Sequence, residues 1–207
     1  MRKLFLFIVC FILFGVGIKA QRFPQAVLPG DYPDPSILRD GKNYYMTHSP
    51  FYYAPGFLIW HSTDLIHWEP VCRALPEYEG SAMAPDLLKY QGRYYIYYPT
   101  STGENFVIYA DNIRGPWSKP VKLDVKGIDP GHVVGEDGKR YLFTNNGWIT
   151  PLSDDGLKVT GKSRKVYDGW EYPANWVTEG KDMYLESPKL LYKDGYYYMM
   201  SAEGGTA

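Results

Sequence analysis

Gln91-Gly92-Arg93-Tyr94-Tyr95-Ile96-Tyr97 is a turn glycine followed by an unbroken aromatic and apolar run, and the pattern recurs along the chain. It stands again at Asp40-Gly41-Lys42-Asn43-Tyr44-Tyr45-Met46, at Asp137-Gly138-Lys139-Arg140-Tyr141-Leu142-Phe143 and at Asp194-Gly195-Tyr196-Tyr197-Tyr198-Met199-Met200. In each copy a tyrosine follows the glycine by three places: Tyr44, Tyr95, Tyr141 and Tyr198. The glycines are 51, 46 and 57 residues apart. Glycine supplies the positive φ that a tight hairpin needs, and the run after it reads as the hairpin's second strand. The first strands are predicted at residues 36–39, 87–90, 132–135 and 188–193.

A second hairpin follows in the first two units. Phe57-Leu58-Ile59-Trp60-His61-Ser62 leads to Trp68-Glu69-Pro70-Val71, and Phe106-Val107-Ile108-Tyr109-Ala110 leads to Trp117-Ser118-Lys119-Pro120-Val121. Trp68 and Trp117 are 49 residues apart, the same period. Unit three is looser, with Leu152-Ser153-Asp154-Asp155-Gly156-Leu157 in the corresponding place. Four strands per repeat of about 50 residues is the pattern of a β-propeller blade, and a β-sandwich of many short strands is the alternative. Composition agrees with an all-β fold. Gly 21, Pro 16 and an aromatic share of 17% speak against helical bundles, while 45% hydrophobic residues exclude a disordered chain. A net charge of −1 leaves no broad basic face for nucleic acid or anionic membrane.

The N-terminus reads as a secretory leader. Arg2 and Lys3 precede an apolar or glycine run from Leu4 to Ile18, closed by Lys19-Ala20, which is short for a membrane span. Residues 1–20 are therefore predicted to be a signal peptide, residues 21–207 an incomplete catalytic β-propeller domain, and the location secreted or periplasmic; a membrane anchor is the other reading of the run. The leader holds three positive charges and no negative one, so its removal takes the formal charge from −1 to −4. Only Cys72 then remains, which permits no internal disulfide.

Chemistry is predicted where each unit begins. An acid stands beside a proline just before every first strand: Pro33-Asp34-Pro35, Pro85-Asp86, Asp129-Pro130 and Glu186-Ser187-Pro188. Equivalent blade positions fall on one ring, so all four carboxyls are expected to meet at one end of the central channel. Taken singly, Asp and Pro are ordinary turn residues. Gathered carboxylates must separate in protonation state, an arrangement suited to acid/base work. With aromatics to face sugar rings, this is the equipment of glycoside hydrolysis.

In order and spacing, Gly30-Asp31-Tyr32-Pro33-Asp34-Pro35-Ser36, Ala84-Pro85-Asp86-Leu87, Gly127-Ile128-Asp129-Pro130 and Leu185-Glu186-Ser187-Pro188-Lys189-Leu190 resemble glycoside hydrolase family 43. The segment from Phe57 to Trp68 and the late Ala202-Glu203-Gly204-Gly205-Thr206 resemble it too, so the likeness covers about residues 24–207. It implies a five-bladed β-propeller, with about three and a half blades in this chain, and inverting hydrolysis of β-xylosides or α-L-arabinofuranosides from plant hemicellulose. By position, Asp34 corresponds to the general base, Glu186 to the general acid, and Asp129 to the acid that raises the pKa of Glu186 and orients it. The expected partner is a xylo- or arabino-oligosaccharide, and neither nucleic acid nor, once the leader is gone, membrane. An endo-arabinanase and a non-catalytic sugar-binding propeller are the other readings.

The likeness has departures. Met83 stands where an aromatic commonly precedes Ala-Pro-Asp, and Glu186-Ser187-Pro188-Lys189 replaces a common Glu-Gly-Pro-His. The chain stops about halfway through its fourth repeat, before a histidine that the family places near the axis. No cofactor is predicted and no metal ligands are assigned, an axial metal ion being left open. His48, His61, His67 and His132 lack metal-ligand spacing and are assigned to packing or surface. The recurring Trp60, Trp68 and Trp117 fit blade packing. Trp148, Trp170 and Trp176, with Phe51, Tyr52 and Tyr53, do not recur and are placed in connections at the rim. The expected sugar contacts are Asp86, Phe51, Met83 and Trp148.

Overall fold

A computed structural model describes residues 26–78, 80–169 and 185–203. The predicted leader, Trp170, Trp176 and Gly204-Gly205-Thr206 lie outside these residues. The chain forms fourteen described strands: β1 Ser36–Asp40, β2 Asn43–Thr47, β3 Gly56–Ser62, β4 Glu69–Leu75, β5 Asp86–Tyr90, β6 Arg93–Pro99, β7 Asn105–Ala110, β8 Val121–Leu123, β9 Gly131–Val134, β10 Arg140–Thr144, β11 Trp148–Leu152, β12 Arg164–Lys165, β13 Leu185–Lys193 and β14 Tyr196–Glu203. They make three four-stranded antiparallel sheets, β1–β4, β5–β8 and β9–β12, and a two-stranded β13–β14 hairpin. The first strands of successive sheets lie side by side, β1 near β5, β5 near β9 and β9 near β13. Each sheet is therefore a blade with its innermost strand on a common axis, and among the described residues no ring closes.

The hairpin turns explain most of the repeat. In blade two the loop between Tyr90 and Arg93 holds Gln91 and Gly92 at φ 48° and 86°; in the fourth unit Asp194 and Gly195 sit at 54° and 82°. Two successive positive φ values match the twist of the flanking strands. In blade one Gly41 (φ 63°) is the first loop residue, followed by Lys42. That shift moves the tyrosine register by one. Tyr45 pairs with Leu38 just as Tyr95 pairs with Leu88, Tyr141 with Val133 and Tyr198 with Leu191. Tyr45, not the predicted Tyr44, is thus the equivalent of Tyr95. In blade three the expected second hairpin around Leu152–Leu157 is displaced. A 3-10 turn at Asn145–Gly147, with Asn146 at φ 57°, starts the third strand at Trp148 instead.

Burial holds the blades together. Every residue of β6 from Tyr94 to Pro99 is buried, which is why its run is continuous rather than alternating. Its two faces serve two seams. Tyr94, Ile96 and Tyr98 pack toward blade one with Phe57, Ile59 and Ala74, while Tyr95 and Tyr97 pack toward blade three with Leu142, Leu152 and Val125. Truncating a fully buried side chain such as Ile96 costs about 3 kcal/mol. Trp117 packs against the first seam, and its indole N–H donates to Ile113 O at 3.2 Å; Trp68 makes the matching bond to Leu65 O at 3.2 Å. Trp117 packs in the core as expected; Trp68 is half-buried outside both core clusters, and Trp60 lines a cavity.

The second seam also contains a buried guanidinium. Arg140, 1% exposed, donates to His132 Nε2 at 2.9 Å, to Tyr97 Oη at 3.0 Å and to Asp154 O at 3.2 Å. It also lies over the rings of Tyr90 and Tyr95, 4.5 and 4.4 Å from their centroids. Burial and the adjacent guanidinium push the His132 pKa down to about 4, so the ring is neutral and can accept from Arg140.

Candidate active site

One backbone feature marks the start of every inner hairpin. Asp34, Ala84, Asp129 and Ser187 all have positive φ (52°, 40°, 55° and 50°), and each precedes a proline. A residue before proline is turned away from the right-handed helical region, and the left-handed conformation costs on the order of 1 kcal/mol for a non-glycine. These four residues are the true equivalents. Measured from them, Asp34 and Asp129 sit at the strained position itself, Asp86 two residues after it and Glu186 one before it. The expectation of four acids at one phase is therefore corrected: the acids occupy three phases, and they separate in role.

The strained residues line one pocket of about 260 Å³ at the end of the axis: Asp34, Pro35, Ala84, Pro85, Asp129, Ser187 and Lys189. Asp34 is exposed, and its Oδ2 accepts a short hydrogen bond from the Ser49 hydroxyl, which in turn accepts from Ala84 N at 2.6 Å. Asp129 Oδ2 accepts from Ser187 N at 3.2 Å and from its hydroxyl at 3.4 Å. Burial raises the Asp129 pKa above the ordinary carboxyl value. The Ser187 amide opposes this, Asp34 adds to it and Lys189 pulls against it. Glu186, half-buried on β13, also has a raised pKa, first through burial, then through Asp129 and then through Asp34. The three carboxyl groups feel one another's charge, and Glu186 is the one whose environment uniformly favours its proton.

Asp86 does different work. It is 8% exposed, its Oδ1 accepts from Lys189 Nζ at 2.9 Å and its Oδ2 accepts from His132 N at 2.8 Å. At the same phase in blade one, Ser36 Oγ accepts from Leu87 N at 2.9 Å. Both residues fasten their blade to the backbone of the next. In blade three that phase is Gly131, where a Cβ would lie 1.8 Å from Pro188 O, so close approach of the fourth unit forbids a side chain.

The other expected contacts are spread out. Phe51 (φ 47°) bonds through its N–H to Ala82 O at 2.9 Å and lines a neighbouring cavity of about 390 Å³ with Tyr32, Trp60 and Tyr53. Met83 is half-buried beside Ala84, its N–H on Pro99 O at 3.0 Å, at the phase that Glu186 occupies in the fourth unit. Trp148 is not in a rim connection: it opens β11, pairs with Thr144 and Lys165, and carries Lys126 Nζ 3.7 Å above its ring. It does not line the acid pocket. Ser49 and Ser187 were not singled out by sequence reasoning; a residue-before-proline alignment of the four units would have exposed the second. Among the described residues no three His, Cys, Asp or Glu side chains are grouped to hold a metal ion.

A blade array with strained acids around the mouth of its axis defines a class of molecule, the β-propeller with carboxylates gathered at one end of its axis. The chain belongs to glycosyl hydrolases family 43, matched over residues 23–207. It is 34% identical to a xylosidase/arabinosidase of Butyrivibrio fibrisolvens over 87% of this chain and 38% of that protein. It is 30% identical to a non-reducing end alpha-L-arabinofuranosidase of Bacteroides ovatus over 99% of this chain and 40% of that protein. A solved xylan beta-1,4-xylosidase from Bacillus halodurans superposes with a TM-score of 0.75 at 33% identity, covering 89% of this chain and 39% of that one. The chain thus spans about two fifths of the length of the relatives it matches.

Proposed function

We propose that this chain carries the catalytic acids of a glycoside hydrolase that releases terminal β-xylosyl or α-L-arabinofuranosyl residues with inversion. The observation that carries the reading is the pocket shared by exposed Asp34 and half-buried Asp129, with the pKa of Glu186 raised by burial and by both of them. Asp34 takes a proton from water as that water attacks the anomeric carbon. Glu186 gives its proton to the departing oxygen as the glycosidic bond breaks, and exchange with solvent restores both groups. Asp129 supplies the negative charge that keeps the Glu186 proton in place between turnovers. Family membership and relatives named for xylosidase and arabinosidase activity support the substrate class.

The finer reading places Asp34, Asp129 and Glu186 on a five-bladed ring, of which the described residues make three blades and the inner hairpin of a fourth. Residues 21–207 are part of the catalytic β-propeller domain, behind a cleavable leader that exports it to the periplasm or beyond. The test is hydrolysis of nitrophenyl β-xyloside and α-L-arabinofuranoside by the complete protein, with the anomer of the first-formed sugar read by proton NMR. Release of the inverted anomer is expected. A retained anomer overturns the mechanism, and binding of pentosides without cleavage overturns the enzyme.

A further inference from the structure

Lys189 bridges three blades. It lies on β13, and its Nζ donates to Asp86 Oδ1 of β5 at 2.9 Å and to Pro130 O, immediately before β9, at 2.9 Å. Its anchor is itself fixed. The second Asp86 oxygen accepts the His132 amide, and the His132 ring is held by Arg140 and stacks on Tyr97 with centroids 5.9 Å apart. The ammonium is therefore the end of a chain of part-buried contacts that runs from the second seam to the pocket wall. Because Pro130 directly follows Asp129, the bond to its carbonyl sets the charge beside Asp129. The ion pair itself is made with Asp86.

Asp34 and Asp129 line one small pocket and Glu186 lies within reach of both charges; three such carboxyl groups repel one another, and left alone they share protons among themselves. The charged groups that face Asp129 are Asp34 from blade one and Glu186 and Lys189 from β13. Lys189 is the cation of that set. A lysine free to swing would settle on a carboxylate and block it; one held by Asp86 and a backbone carbonyl acts at a distance.

We propose that Lys189 is a positioning residue for Asp129: pinned by Asp86 and the Pro130 carbonyl, its ammonium keeps Asp129 ionised among the other two carboxyl groups. This deepens the proposed function and rests on Asp129 being the modulator of Glu186. The direction in which Lys189 acts on Asp129, against burial and against Asp34, agrees with it. A neutral Asp129 would no longer hold the proton on Glu186, so the pocket needs an internal cation to keep its acid loaded.

The experiment is a carbon-13 NMR titration of the Asp129 carboxyl in the complete protein, assigned with Asp129→Asn. It is run on the wild type, Lys189→Met, Lys189→Arg and Asp86→Asn, each checked for fold by circular dichroism. Lys189→Met is expected to move the Asp129 midpoint to higher pH, and Lys189→Arg to leave it near the wild-type value. Asp86→Asn, whose carboxamide oxygen still accepts the His132 amide, relieves the ammonium of its counter-charge and is expected to move the midpoint to lower pH. An unmoved midpoint in folded Lys189→Met overturns the proposal. So do Lys189→Met and Asp86→Asn shifts in the same direction, the mark of simple loosening. Should Lys189→Met not fold, an unmoved or upward midpoint in Asp86→Asn overturns it alone. The titration needs no turnover, so the expected shifts in a protein that cleaves neither pentoside would refute the substrate assignment and keep this one.

Discussion

The starts of blades two and three look alike in sequence and do opposite things. Ala84-Pro85-Asp86 and Ile128-Asp129-Pro130 each put an aspartate next to a proline at the head of an inner strand. In blade three the aspartate is the strained residue before the proline and projects into the pocket. In blade two that place is taken by an alanine, and the aspartate falls two residues later, where it closes the seam through Lys189 and the His132 amide. Both hold one aspartate beside one proline; phase relative to the left-handed residue decides. An acid at the strained position faces the axis mouth and stays available for chemistry. One two residues further on is consumed by blade assembly.

The largest expected effect that sharpens this contrast is on rate. Asp34→Ala in the complete protein should lower kcat by about 10³-fold or more on every pentoside, since no other group takes the proton from water. Glu186→Ala should lose as much on substrates with poor leaving groups and far less on a dinitrophenyl glycoside, whose leaving group needs no proton. Equal losses on both substrates would break the division of labour between the two acids.

The next effect is on stability. Asp86→Ala leaves the His132 amide without its acceptor and the Lys189 ammonium with the Pro130 carbonyl but no counter-charge, and should cost about 2–3 kcal/mol, read as a lower denaturant midpoint. Asp129→Asn keeps the acceptor for the Ser187 amide and should unfold close to the wild type. If Asp129→Asn proves the less stable of the two, the assignment of Asp86 to assembly and Asp129 to chemistry is reversed.

A smaller effect comes from the second seam. His132 is held neutral with its pKa at about 4, below its ordinary 6.5, so between those values the unfolded chain binds a proton that the folded one refuses. The resulting stabilisation is complete above about pH 6.5 and is lost as pH falls toward 4, at most about 3 kcal/mol in all. His132→Gln, which preserves an acceptor for Arg140, should flatten that part of the stability curve. Chemical denaturation at pH 7 and pH 4.5, compared between the two proteins, measures it.

Much of the architecture was legible in the repeat. Gly92 with Tyr95, and Trp68 with Trp117, announced four-stranded units because hairpin glycines and buried aromatics are local demands that a sequence must meet. The tyrosine register of blade one was misread because Gly41 and Gly92 occupy different places in their two-residue loops, and a glycine does not declare which. The third strand of blade three was misplaced although Asn146-Gly147, at φ 57° and 69°, is a strong turn signal just before it; the repeat period drew the reading on to Leu152 instead. Asp34, Asp129 and Glu186 were legible as a set. What separated Asp86 from them was not, since the partners that claim it, His132 and Lys189, are 46 and 103 residues away in sequence and meet it only across blade seams.

In the proposed mechanism Asp129 holds the proton on Glu186, and the pH–rate profile of Asp129→Asn tests this most directly. Glu186 must be protonated to act, and part of its raised pKa comes from the Asp129 charge. Removing that charge lowers the pKa, so the alkaline limb of kcat/KM for a nitrophenyl pentoside should move to lower pH while the protein stays folded. An alkaline limb that stays where the wild type has it would contradict the account.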